Sequence, residues 1–135
     1  MAETIQQAVD TFLAAGPFAV VGASVDRSKY GNKVLRCYQQ HAMEVYPINA
    51  RAAEVEGLKA YPSLASLPVR ARAISVITPP AITEQVVRDA AAAGVTHVWM
   101  QPGAESDEAI REAEALGMTV IAGGPCLLVV LGYRD

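Results

Sequence analysis

Apolar residues along this chain follow two rhythms. Short, mostly apolar runs occupy Phe18 to Ala23, Glu44 to Ile48, Ala73 to Thr78, Thr96 to Met100 and Met118 to Ala122. Runs of this length predict strands buried on both faces, the habit of a parallel sheet. Between them the spacing becomes helical. Before the first run, Ile5, Val9, Phe12 and Leu13 share one helical face, and Gly16 with Pro17 ends that helix. A second helix is predicted from about Gly31 to His41, burying Val34, Leu35 and Tyr38. A third puts Ile82, Val86, Val87 and Ala90 on one stripe and stops at Gly94. A fourth begins at Ser106, a good N-cap, with Asp107 and Glu108 in the first turn, where the helix dipole favours acids. Its apolar face is Ala109, Ile110, Ala113 and Leu116, and Gly117 closes it.

Two stretches carry weaker signals. Residues 50–69 predict a turn, a short extended piece and one helical turn from Ser63 to Leu67, while Leu127 to Leu131 fits a sixth short strand or a buried coil. Strands alternating with helices predict an α/β fold: a doubly wound parallel sheet of about five strands, helices on both faces and right-handed crossovers. The expected strand order is 3-2-1-4-5, and residues 1–135 are expected to form a single domain. Ligands of such sheets lie beyond the carboxyl ends of the strands, where the order reverses. Here that point is predicted between the strand ending at Gly22 and the strand ending at Thr78.

Composition narrows the setting. With 52% hydrophobic and 19% charged residues, the chain does not fit intrinsic disorder. No apolar run approaches the roughly 18 residues of a membrane span. Met1 to Asp10 carries Glu3 and Asp10 and lacks the basic-then-apolar order of a signal peptide. Two cysteines, Cys37 and Cys126, make no disulfide framework, so a cytoplasmic location is expected. The net charge of -3 gives no general attraction to nucleic acid. Any bound anion must be held by local geometry.

Three loops offer that geometry. In the first, Gly22, Ala23 and Ser24 let a ligand approach the backbone, and a helix start follows near Gly31. Arg27, Ser28, Lys29 and Lys33 surround that start with donors and positive charge, as a phosphate cradle would. The loop lacks the glycine spacing of the dinucleotide fingerprint and of the phosphate loop of nucleotide triphosphatases. The second loop ends the second strand with Asn49 and Arg51, where NAD-binding domains carry an acid for the ribose hydroxyls. Asn49 can bond a ribose or base and Arg51 can face a ribose phosphate, which favours NADP or coenzyme A over NAD. The third is Thr78-Pro79-Pro80-Ala81-Ile82, stiff before any ligand arrives, with proline rings suited to an adenine or a pantetheine arm. Each loop also has a plain structural reading, as a solvated turn or a rigid helix start.

Taken together, AVVGAS (19–24), YGNKVLR (30–36), VYPINAR (45–51), ITPPAI (77–82) and VWMQPGAES (98–106) resemble the stand-alone CoA-binding proteins. They are similar also to the CoA-binding domain of succinyl-CoA synthetase α chains and of ADP-forming acyl-CoA synthetases. The resemblance runs from about Ala14 to Cys126. It implies a Rossmann-like fold that binds CoA or an acyl-CoA across the strand ends. Gly22, Ala23 and Ser24 would face the phosphates with Arg27 and Lys33 nearby. Asn49 and Arg51 would lie at the adenosine end, and Thr78, Pro79, Pro80 and Ile82 would contact the base and arm. Two departures stand out: Asn49-Ala50 where the family has Asn-Pro, and Ala122-Gly123-Gly124-Pro125-Cys126 where it has an acid shortly before its cysteine.

No nucleophile–base set has a recognisable context here. His41 closes a helix, His97 starts a strand, and these with Cys37 and Cys126 lack metal-ligand spacing. The expected role is a non-catalytic binding module, a carrier, sensor or subunit with room for a protein partner or homo-oligomer. The alternative is an NADP-dependent or acyl-CoA-handling enzyme.

Overall fold

The computed structural model describes residues 4–135. Its first helix, α1 (Ile5–Leu13), opens on a capping box: Thr4 Oγ1 accepts the Gln7 N–H at 3.1 Å, and Gln7 Oε1 accepts the Thr4 N–H at 2.8 Å. Then come β1 (Phe18–Val21), α2 (Tyr30–Gln40) and β2 (Val45–Ile48). A small antiparallel hairpin, β3 (Glu54–Val55) with β4 (Leu58–Lys59), and a 3-10 turn (Leu64–Ser66) lead to β5 (Ala73–Val76). The chain finishes with α3 (Pro80–Ala92), β6 (His97–Met100), α4 (Asp107–Ala115), β7 (Thr119–Ile121) and a one-turn α5 (Leu127–Val130).

The fold is the doubly wound, Rossmann-like α/β architecture that the alternation predicts, with five parallel strands. Side-chain alternation along the strands divides the core. Phe18, Val20, Ala73 and Trp99 pack with α1 and α2 on one face. Ala19, Val21, Ile74, Val76, Val98 and Met100 pack with α3 and α4 on the other. Both faces are covered by helices, which is why the strands are nearly continuous apolar runs.

The strand order corrects the expectation. Among the five sheet strands it is β2-β1-β5-β6-β7, or 2-1-3-4-5 in order of appearance, where 3-2-1-4-5 was expected. After β2 the chain turns back and crosses to the far side of β1. Pro47 supplies the physical reason: it has no N–H for a further strand, so β2 suits an edge. Tyr61 covers that edge locally, donating its N–H to Pro47 O at 3.0 Å and accepting the Asn49 N–H at 2.9 Å. In this order the reversal falls between β1 and β5, at the Gly22 and Thr78 ends named from the sequence, whereas the order 3-2-1-4-5 would have set β1 beside β6.

The tail is the second correction. Residues 127–130 form a helical turn, neither strand nor coil. Gln101 Oε1 accepts the Leu127 N–H at 2.9 Å, and Cys126 O accepts from Val129 and Val130 at 3.1 and 3.0 Å. That geometry buries Leu127 against α2 while the β-branched Val129 remains exposed. Tertiary anchoring overrides the strand preference of a Leu-Leu-Val-Val run.

Candidate functional site

At the reversal, the ends of β1, β2 and β5 open into a cleft of about 760 Å³, within the size range of small-molecule sites. Its lining includes Gly22, Ala23, Asn49, Arg51, Thr78, Pro79 and Ile82, seven of the sequence-predicted residues. Val21, Ile48, Ala50, Pro62 and Val86 complete it. Sequence reasoning passed over these five because each looked like core or connector. The signal for Val21 and Ile48 was their position as the last residues of strands flanking the reversal.

Backbone constraints build the floor. Gly22 has φ +97°, and a Cβ there would strike the carbonyl oxygen of Ile77 on the neighbouring strand end. A Cβ on Gly31 would strike Gly22 O, so this second glycine lets α2 start directly against the end of β1. The glycines are thus spent on chain-to-chain approach as well as on an open surface.

Asn49 is also committed. Its amide donates to Ala23 O at 2.8 Å, and its Oδ1 accepts the N–H groups of Arg51 and Ala52 at 2.8 and 2.9 Å. It ties the end of β2 to the first loop and leaves one amide hydrogen for a ligand. Asn32, fully buried, does the same from α2: it donates to Ser24 O at 2.8 Å and to Glu56 Oε2 at 3.1 Å, and accepts from Arg36 Nε at 2.7 Å. Two asparagines therefore hold consecutive carbonyls of the loop.

On the far wall Pro79 caps α3 and Pro80 is its first residue, where a missing N–H costs nothing. Thr78 Oγ1 bonds Thr83 Oγ1 at 2.7 Å, fixing the entry to α3. Ile82, 52% exposed, stands in the lining as an uncovered apolar side chain. Arg51 is the charged member of the lining.

The remaining predicted residues lie outside that lining. Ser24 Oγ accepts the Asp26 N–H at 3.1 Å, and Asp26 Oδ1 accepts Ser28 N–H and Oγ–H at 2.9 and 2.7 Å. Those Ser28 bonds hold the exposed Asp26 carboxyl below its ordinary range. Arg27 faces Glu56 at 3.5 Å, and Lys33 faces Asp135 at 3.8 Å. Pro80 belongs to the helix start behind the wall.

Apart from the cleft lining, a polar chain runs between α2 and the strands. Tyr38 Oη and Ser75 Oγ bond at 2.7 Å, Gln101 Nε2 donates to Ser75 Oγ at 3.4 Å, and Tyr30 Oη donates to Gln101 Oε1 at 3.3 Å. Tyr30 Oη also bonds Cys126 Sγ. Desolvation, then the Cys126 bond, pushes the Tyr30 phenol up, so it stays protonated as a donor. Ser75 lies inside the apolar run 73–78 and Gln101 directly after the run 96–100, and neither position shows in the sequence which groups it bonds. The chain fastens α2, β5, β6 and α5 to one another.

A glycine-floored cleft at the reversal of a parallel sheet, lined also by Pro79 and Arg51, lies where doubly wound α/β domains take their ligands. Within that class, a family model described as CoA binding domain matches residues 17–132, and the chain belongs to that family. It is similar to the acetate–CoA ligase [ADP-forming] II subunit alpha of Pyrococcus furiosus, 30% identical over 112 residues. That alignment covers 80% of this chain and 24% of the relative, so the chain spans about a quarter of that protein. Among solved structures, a hypothetical protein from Pyrococcus horikoshii OT3 superposes with a TM-score of 0.87 at 27% identity, covering 95% of this chain and 89% of that one. A conserved hypothetical protein from Pyrococcus furiosus is 40% identical with a TM-score of 0.78, covering 84% and 97%. No helix among the described residues is long and apolar enough to cross a membrane.

Proposed function

We propose that this chain binds coenzyme A or an acyl-CoA in the cleft between β1, β2 and β5, as a single-domain, cytoplasmic binding module without a reaction of its own. The convergence of Gly22, Ala23, Asn49, Arg51, Thr78, Pro79 and Ile82 on one cleft carries this reading. The residues fit the ligand's parts. Pro79, Ile82 and Val86 offer an apolar wall for adenine or the pantetheine arm, Arg51 a cation for a ribose phosphate, and Gly22 and Ala23 a surface for the pyrophosphate. Ser24, Ser28 and Pro80 shape the neighbouring loop and helix start. Arg27 and Lys33 reach a ligand phosphate by exchanging it for Glu56 and Asp135. The kinship with a ligase subunit supports a partner chain that supplies chemistry.

Thermal unfolding with matched CoA, NADP and NAD tests the ligand class. CoA should stabilise by about 2.7 kcal/mol at roughly a hundredfold excess over its Kd. NAD should do much less, because Asn49 and Arg51 stand where its ribose needs an acid. An equal shift with NAD would refute the assignment. The second reading is an acyl-CoA-handling enzyme, with Cys126, a partly exposed thiol hydrogen-bonded to Tyr30, as its candidate nucleophile. Steady acyl-CoA hydrolysis that vanishes in Cys126→Ala would establish that reading in place of the module.

A further inference from the structure

On the outer side of α2 lies a second cleft, of about 470 Å³, lined by Arg27, Arg36, Glu56, Arg134 and Asp135 together with Gln39 and Gln40. Lys33 joins it through its contact with Asp135. Four cations thus meet two acids in a chain whose overall charge is -3.

Three observations mark this as a place for an anion. Arg36 is held ready: its side chain is only 12% exposed, Nε donates to Asn32 Oδ1 at 2.7 Å, Nη2 donates to Arg27 O at 2.9 Å, and the guanidinium lies over the Tyr133 ring at 5.5 Å. Its remaining nitrogen, Nη1, points at Asp135. The contacts of these cations with their acids are long, while Glu56 and Asp135 take their closer hydrogen bonds from Asn32 and Tyr133, at 3.1 and 3.0 Å. Arg27–Glu56, Lys33–Asp135 and Arg36–Asp135 stand at 3.5, 3.8 and 3.6 Å, whereas Arg88–Glu112 and Arg111–Glu108 close to 2.8 Å. A charge-assisted hydrogen bond needs about 2.7–2.9 Å, so donor capacity in the cluster is unused. Finally, Asp135 is 72% exposed and accepts one hydrogen bond, from the exposed end of Tyr133 at 3.0 Å, so it can swing out at the loss of that bond and without uncovering core. The tail that carries it is gripped one residue earlier, where the Gln40 side-chain amide pairs with both the N–H and the carbonyl of Arg134.

We propose that this cleft is a phosphate-binding site in which the Asp135 carboxylate stands in for the ligand. A phosphate carries more charge and more acceptor oxygens than one carboxylate, so it can close the distances that Asp135 leaves open. The phosphate comes either from the CoA of the first cleft, in which case the inference rests on that reading, or from a separate phosphorylated compound.

Calorimetric titration with inorganic pyrophosphate at low ionic strength tests the site without CoA. Asp135→Asn should bind pyrophosphate about threefold or more tightly than the parent, Lys33→Gln should bind it correspondingly more weakly, and both effects should shrink as salt screens the charges. Circular dichroism melts confirm that both variants fold. No pyrophosphate binding by folded Asp135→Asn, or binding equal to that of the parent, overturns the proposal. Coenzyme A and its 3′-dephospho form then identify the source. If Lys33→Gln abolishes the difference in affinity between them, the phosphate is the CoA's own. If it weakens pyrophosphate but leaves both CoA forms unchanged, the site serves a separate ligand. Should the parent bind neither CoA form, the reading of the first cleft fails while the pyrophosphate arm still decides this one.

Discussion

Replacing Asn49 with alanine separates a residue that builds the cleft from one that merely faces a ligand. The substitution removes three hydrogen bonds: to Ala23 O at 2.8 Å, from Arg51 N–H at 2.8 Å and from Ala52 N–H at 2.9 Å. Each bond contributes about 1 kcal/mol net, but the three are not equal. Arg51 is exposed, so water replaces the asparagine oxygen at its N–H with little loss. Ala23 is only 3% exposed, and its carbonyl is left to face the larger cost of an unmet buried acceptor, about 1–3 kcal/mol. The sum is roughly 2–3 kcal/mol, equivalent to about 8 °C in Tm for a chain of this size. Trp99 is the sole tryptophan and is fully buried, so its fluorescence reports urea unfolding directly. Loss of CoA affinity in Asn49→Ala should accompany this destabilisation, because the loop that carries Gly22 to Ser24 is released. A variant within about 0.5 kcal/mol of the parent in stability, yet deficient in ligand binding, would refute the positioning role and make Asn49 a direct contact.

Gly31→Ala sets helix propensity against packing. Alanine in a helix is favoured by about 1 kcal/mol, but here its Cβ meets Gly22 O, so the variant should instead lose about 1–3 kcal/mol in urea unfolding, and a gain would overturn the close-approach account. Burial, with a smaller contribution from Cys126, pushes the Cys37 thiol from 9.0 up to about 11. Because the folded-state value is raised, this contribution to stability is complete below pH 9 and is lost progressively as pH rises toward about 11. Cys37→Ala should show a shallower decline across that window than the parent, and equal slopes would count against it.

Much of the architecture was legible in the one-dimensional pattern, since burial on one stripe or on both faces leaves a local period. That period is set by backbone geometry and survives without knowledge of neighbours. It located five strands and four main helices, and it placed the ligand end of the sheet, because parallel strands present their carboxyl ends on one edge. Pro47 even carried the clue to the strand order, an edge strand that cannot donate outward. What the pattern could not carry was how polar side chains are used. Asn49 and Asn32 are bound to loop carbonyls, and Gln101 to Tyr30, Ser75 and Leu127. Arg27 and Lys33 answer Glu56 and Asp135, partners distant in the chain. The Leu-Leu-Val-Val run became a helical turn for the same kind of reason, an acceptor supplied by β6's end. A hydrogen bond or ion pair depends on two groups meeting at about 3 Å in the right direction, and only the folded chain decides which groups meet.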